Sequence, residues 1–213
     1  MLRDGCLNAS LAIKDGKIAA ILQDGCGADG KERIDAGGRY IFPGGIDTHT
    51  HFFDPGAEYR EDWECGTKAA ASGGYTLVME MPNSSPPVID KDTFRTKYER
   101  ASQHAVVDFA LWGGIVGDYD NQPGSVKNNM ADLVDLHKCG VAAFKGFTCP
   151  NGDLFPTVNM GNVRKALEIL KPYGALCGFH CEGVRSGTGT GKGGKGKNRK
   201  DQRRENQGFP GFP

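Results

Sequence analysis

The stretch Gly45-Ile46-Asp47-Thr48-His49-Thr50-His51-Phe52-Phe53-Asp54-Pro55-Gly56 comes straight after the apolar run Tyr40-Ile41-Phe42-Pro43-Gly44. Side chains alternate along a strand, so His49 and His51 point the same way, with Asp47 below them. Two imidazoles on one face at a strand end can chelate one metal ion. The same pattern also fits two surface or hydrogen-bonded histidines. Asp54-Pro55-Gly56 then turns the chain away.

From this strand onward the chain alternates between two periodicities. Apolar strand candidates lie at residues 41–49, 75–81, 106–114, 141–147 and 175–180. Helix candidates lie between them at 61–73, 90–103, 125–139 and 159–171. Ser125 is a candidate N-cap for the third helix, which ends before Gly140 and carries Leu133, Val134 and Leu136 on its apolar side. Asn159 can cap the fourth, with Val163, Ala166, Leu167 and Leu170 at helical spacing. Apolar strands separated by amphipathic helices imply βαβ units and a parallel sheet buried on both faces. Such a sheet is an open doubly wound one or part of a (β/α)₈ barrel. No G-x-G-x-x-G follows the first strand, which weakens a dinucleotide-binding reading. Upstream, residues 10–22 hold two alternating runs joined by Asp15-Gly16, a hairpin signal. A further short strand is expected within 34–44.

Two more polar residues fall at strand ends. Lys145 sits inside the apolar strand VAAFKGF, where a charged amine is costly to bury. It either snorkels to solvent or is a desolvated amine with a lowered pKa, available for chemistry such as carbamate formation. His180 ends the strand ALCGFH, sharing a face with Leu176 and Gly178. Cys177, Phe179 and Cys181 share the other face, and both cysteines are expected to pack as core against a helix. Their spacing fits no common zinc module.

The chain has 213 residues, 38% apolar and 24% charged, with a formal net charge of zero. That is globular, and no apolar run approaches the roughly 18–20 residues of a membrane span. Without a secretory signal, the seven cysteines read as reduced, mostly buried thiols in a cytoplasmic protein. The neutral charge hides an asymmetry. Residues 184–213 carry eight Lys/Arg against two Asp/Glu, a local charge of +6, and the body carries −6. This Gly/Lys/Arg-rich tail has no apolar periodicity. It reads as disordered, or as translation in a wrong frame. A basic nucleic-acid-binding arm is disfavoured because aromatic residues are confined to the terminal FPGFP.

Taken together, these landmarks resemble a known family. The motifs KDGKIAAI, FPGGIDTHTHFFDPG, GTKAAASGGYTLVMEMPNSSPP, AFKGF and FHCEG are similar to those of the cyclic amidohydrolases: allantoinase, hydantoinase, dihydropyrimidinase and dihydroorotase. The resemblance runs from about Leu11 to Gly183. It implies an α/β fold, an incomplete TIM-type (β/α) barrel of about five of eight units. Part of a small β-sandwich domain (1–44) precedes the barrel piece (45–183), and the tail (184–213) follows. It further implies two divalent metal ions, zinc in most members, held by His49, His51, Lys145 as its carbamate, and His180. A metal-bridging hydroxide then opens a cyclic amide ring.

Substrate choice follows from departures within the family pattern. Phe53 stands where dihydroorotases carry an arginine, and Pro150 where hydantoinases and dihydropyrimidinases carry a tyrosine. The segments FALWGGIVGD and NGDLFPTV look most like allantoinases, so a small ureide ring of the allantoin type is expected. Asn83 sits where dihydroorotases hold substrate and is a substrate-binding candidate; it could equally stabilise the turn before Pro86-Pro87. A hydantoinase- or dihydropyrimidinase-type hydrolase and a non-catalytic scaffold are the alternatives. The resemblance also implies homo-oligomers for complete members. The strand-six histidine and late catalytic aspartate of the family are absent from these 213 residues. No catalytic residue is therefore assigned, and the chain alone is expected to be inactive or nearly so.

Overall fold

A computed structural model describes residues 5–23, 26, 29–117, 127–149 and 155–182. Ser125, Pro150, Gly183 and the whole basic tail lie outside the described residues. β1 (Ala9–Lys14) and β2 (Lys17–Gln23) form the expected antiparallel hairpin, with Leu11 opposite Ile21 and Lys14 opposite Lys17. Asp15 and Gly16 both have positive φ, 52° and 71°, as a two-residue hairpin turn requires. The strand expected within 34–44 does not form. Gly37 and Gly38 instead make a turn in which Arg39 N–H donates to the Ala36 carbonyl and Gly37 N–H to the Asp35 carboxylate.

Five parallel strands follow: β3 (Gly45–Thr50), β4 (Tyr75–Glu80), β5 (Asp108–Ile115), β6 (Ala143–Phe147) and β7 (Cys177–His180). Their order in the sheet is their order in the sequence, and every neighbouring pair is parallel. A doubly wound sheet reverses its strand order at a switch point; this one does not. With right-handed crossovers, sequential order keeps every connecting helix on the same face. These are α1 (Trp63–Ser72), α2 (Lys91–His104), α3 (Leu133–Lys138) and α4 (Met160–Leu170). The sheet curls into a half-barrel, the architecture of a TIM-type barrel through five of its units. Trp112 reports the curl directly. It lies on β5, yet its Nε1–H donates to the Thr48 carbonyl of β3 at 3.1 Å, across the concave side of β4.

The helices begin where the sequence supplies caps. Asp62 accepts from Cys65 N–H at the start of α1, and Asn159 accepts from Asn162 N–H at the start of α4. Asp90 and Thr93 form a reciprocal capping box on α2. α3 is shorter than the helix expected over 125–139. The buried side chain of Asn129 accepts from Val116 N–H and donates to the Ile89 and Gly114 carbonyls. The segment before Leu133 is thereby committed to the end of β5 and to the residue before the α2 cap rather than to a helix.

The convex face is the main core. Phe144 and Ile115 of the sheet pack with Leu133 and Leu136 of α3 and Val163, Ala166 and Leu170 of α4. Val78 and Leu111 pack with Trp63 of α1 and Ala101 of α2. Each fully buried aliphatic or aromatic side chain here contributes roughly 1.5–3 kcal/mol. The expectation for the cysteines is only partly met. Cys149 is buried and Cys177 packs against the α3–α4 cluster, but Cys6, Cys26, Cys65 and Cys181 are exposed. Strand alternation cannot carry Cys181 into the core, because β7 ends one residue earlier, at His180.

Candidate metal centre

The concave face carries the polar residues. At the end of β3, His49 Nε2 and His51 Nε2 are 3.2 Å apart. Two nitrogens each about 2.0–2.1 Å from one tetrahedral zinc ion are about 3.3 Å apart, so this spacing fits a shared ion. Below them the Asp47 carboxylate accepts from His49 N–H at 3.1 Å. The His51 ring stacks on Phe53 with centroids 5.4 Å apart, and the Arg60 guanidinium covers the Phe53 ring at 4.1 Å.

Lys145 lies in β6 between Gly114 of β5 and Gly178 of β7. The space beside these glycines is taken by Phe155 and Ile89 at Gly114 and by the Trp112 ring at Gly178. Lys145 is 7% exposed, so it does not snorkel freely into solvent. Its Nζ sits 5.0 Å above the Phe147 ring, and it forms no ion pair with a carboxylate among the described residues. Burial pulls its pKa below the usual lysine value, with a small opposing effect from Cys181. His180 pairs in register with Phe147 and stacks on it, ring centroids 5.6 Å apart. Lys145, Phe147 and His180 therefore share one face of the sheet.

The two halves of the site sense each other. His49 is pulled below 6.5 by desolvation first and then by repulsion from Lys145 and His180, with Asp47 opposing. Asn83 follows β4, is 2% exposed, and its Oδ1 lacks a hydrogen-bond partner among the described residues. An orphaned buried acceptor of this kind is costly unless something else satisfies it. The donor set of two adjacent imidazoles, a desolvated amine and a third imidazole fits divalent metal binding.

The sequence and the fold match known proteins. Residues 40–145 match the model of the amidohydrolase family. This stretch belongs to the amidohydrolase family. An allantoinase from Desulfitobacterium hafniense is 38% identical over 184 residues, which cover 84% of this chain and 38% of the relative. An L-hydantoinase from Paenarthrobacter aurescens is 33% identical over 181 residues, covering 84% and 37%. Among solved structures, the L-hydantoinase (dihydropyrimidinase) of Arthrobacter aurescens superposes with a TM-score of 0.75 at 33% identity, covering 84% of this chain and 38% of that one. The chain thus spans less than two fifths of the length of these amidohydrolases, 37% and 38%. No helix among the described residues is long and apolar enough to cross a membrane.

Several residues that shape this candidate site escape a motif reading. Glu80 and Lys97 form a buried pair, 3.2 Å apart, directly behind the β3 turn. Burial pushes the Glu80 carboxyl up and the Lys97 ammonium down, and each group opposes the shift of the other. Asp54 is also buried. Its carboxylate accepts from Arg100 Nε–H at 2.9 Å and Trp63 N–H at 3.3 Å, and its carbonyl accepts from Trp63 Nε1–H at 3.0 Å. An acidic residue inside the apolar strand YTLVMEM was the available signal for Glu80.

His51 yields a pH prediction. Desolvation, then repulsion from His49, Lys145, Lys97 and Arg60, lowers its pKa from 6.5 to about 4. A depressed folded-state pKa means the fold favours the neutral ring. The associated stability is present above about 6.5 and is lost as pH falls toward 4. The urea midpoint of the metal-free chain should fall over that window more steeply than in His51→Gln. Superimposable pH profiles for the two proteins would remove His51 from the acid response.

Proposed function

We propose that this chain supplies the metal-holding half of a cyclic amidohydrolase site that opens a ureide ring of the allantoin type. The observation that carries the reading is the 3.2 Å approach of His49 Nε2 and His51 Nε2, on the concave face that also holds Lys145 and His180. His49, His51, His180 and Lys145 as its carbamate would together hold two divalent ions; zinc suits such donors. Ions bound there would polarise the scissile amide and supply a nucleophile at neutral pH.

The chain's own side chains do the rest. The Lys145 amine, once deprotonated, would add carbon dioxide: an N–C bond forms, one C–O π bond opens, one further proton leaves the nitrogen, and the neutral amine becomes a carbamate anion. Burial favours the neutral rings of His49 and His51, the form that can offer a nitrogen lone pair to a metal. The unsatisfied Asn83 Oδ1 can accept from a ring N–H. Trp112 closes the floor of the site by bonding across to Thr48. A hydantoin ring is the second reading, supported by the likeness to L-hydantoinase. A cytoplasmic location and the division into 1–44, 45–183 and 184–213 are parts of the same proposal.

Calorimetric titration of the zinc- and bicarbonate-loaded chain with allantoin, hydantoin and dihydrouracil tests it. Allantoin should bind most tightly, chelation should abolish the binding, and turnover should stay near background. Failure of all three rings to bind in a metal-dependent way would reject the proposal. Rapid turnover would support ring opening and reject the expected inactivity.

A further inference from the structure

Glu80 ends β4 on the convex side and is fully buried. Its Oε2 accepts from the Thr50 hydroxyl at 2.9 Å. Its Oε1 accepts from Phe52 N–H at 2.9 Å, Phe53 N–H at 3.4 Å and Lys97 Nζ at 3.2 Å. Lys97, 1% exposed, also donates to the Met81 carbonyl at 2.8 Å, and Met81 N–H returns to the Thr50 carbonyl at 3.0 Å. Thr50 and Phe52 are the two neighbours of His51, and Thr50 is also the residue between the histidines. One carboxylate therefore holds the Thr50 hydroxyl on one side of His51 and the Phe52 backbone amide on the other.

A buried ion pair is a weak device for stability, since apolar residues of similar volume often serve as well. What this pair offers is direction. Phe53 is held at a φ of 59°, uncommon for a residue with a bulky side chain, and its amide points at Glu80. Such a conformation persists only where the surroundings over-determine it. The four donors on Glu80 provide that constraint.

We propose that Glu80, fixed by Lys97, is a positioning residue for His51 and, through Thr50, for His49, so that both imidazoles can reach one divalent ion. This rests on the metal reading given above. It makes the α2 lysine and the β4 glutamate part of the metal centre although neither faces it. Groups that orient metal ligands typically change metal affinity by about 10–100-fold when removed.

The test compares two charge-balanced variants of the full chain, E80L/K97M and E80Q/K97M. Both remove the buried ion pair, but the second keeps an oxygen at position 80. Two quantities are read: the cobalt(II) dissociation constant from the visible spectrum, and the exchange rate of the Phe52 amide in the metal-free chain. In E80L/K97M, cobalt binding should weaken by about 10–100-fold. Its Phe52 amide should exchange much faster, while the β4 and β5 amides keep their protection. E80Q/K97M should recover most of the cobalt affinity and the slow Phe52 exchange. Thr50→Val removes one donor without touching the buried charges, and should weaken cobalt by a smaller factor; it carries the test if E80L/K97M does not fold.

Wild-type cobalt affinity in every folded variant overturns the proposal, even if Phe52 exchange accelerates. Absence of cobalt binding in the unsubstituted chain would overturn the metal reading itself. The exchange rates then decide separately whether Glu80 holds the His51 turn, and an unchanged Phe52 rate in E80L/K97M shows that it does not.

Discussion

Replacing His49 and His51 together by alanine should abolish tight divalent-metal binding and leave the fold in place. Both side chains are exposed at the mouth of the half-barrel, so truncating them opens no cavity in the core. What is lost is a pair of imidazole nitrogens already 3.2 Å apart. Binding should weaken by at least about 100-fold, beyond the usual effect of removing a supporting group. The readout is thermal. Zinc at a hundred times its dissociation constant stabilises a folded chain by about 2.7 kcal/mol. The unsubstituted chain should show that shift and the double variant almost none. An equal shift in both would move the metal elsewhere, with the exposed cysteines the first place to look.

Trp63→Ala should cause the largest loss of stability from a single substitution discussed here. Trp63 is fully buried at the start of α1. Its ring meets Phe52 edge-on at 5.1 Å and Phe109 at 5.4 Å, and its Nε1–H is bonded to the Asp54 carbonyl. Removing a buried tryptophan typically costs about 3–5 kcal/mol. For a chain of this size that lowers the melting temperature by roughly 6–20 °C. Trp63→Phe keeps most of the ring contact and drops the N–H, so it should fall between the two. Because Phe52 directly follows His51, the alanine variant should also weaken metal binding at temperatures where it remains folded. A loss below about 1 kcal/mol in urea melts would mean that Trp63 is not the anchor of the β3–α1 turn, since surface-like substitutions behave that way.

The parts of this molecule that a sequence reveals are those with a short period. His49 and His51 were legible because a two-residue repeat puts them on one face, and their nitrogens do meet there. The sheet was legible because strands and helices alternate at a spacing that allows only parallel pairing. The caps at Asn159 and the hairpin at Asp15-Gly16 are local chemistry, and both formed.

What was missed depends on partners distant in sequence. The helix expected from Ser125 gave way because Asn129 finds Val116, Gly114 and Ile89. Residues 34–44 looked like a strand until the Gly37–Gly38 turn is considered. Glu80 was hidden in an apolar strand, because its partner Lys97 comes from the buried side of the next helix. The metal reading of Lys145 came from resemblance. Its burial between two glycines is the structural fact that no local pattern supplied.

The measurement that bears most directly on the metal centre is anomalous diffraction at the zinc edge from crystals of the chain loaded with zinc and bicarbonate. The account predicts one peak bound by His49 Nε2 and His51 Nε2, and a second beside Lys145 and His180. Peaks confined to cysteine thiols, or no peak at the end of β3, would contradict it.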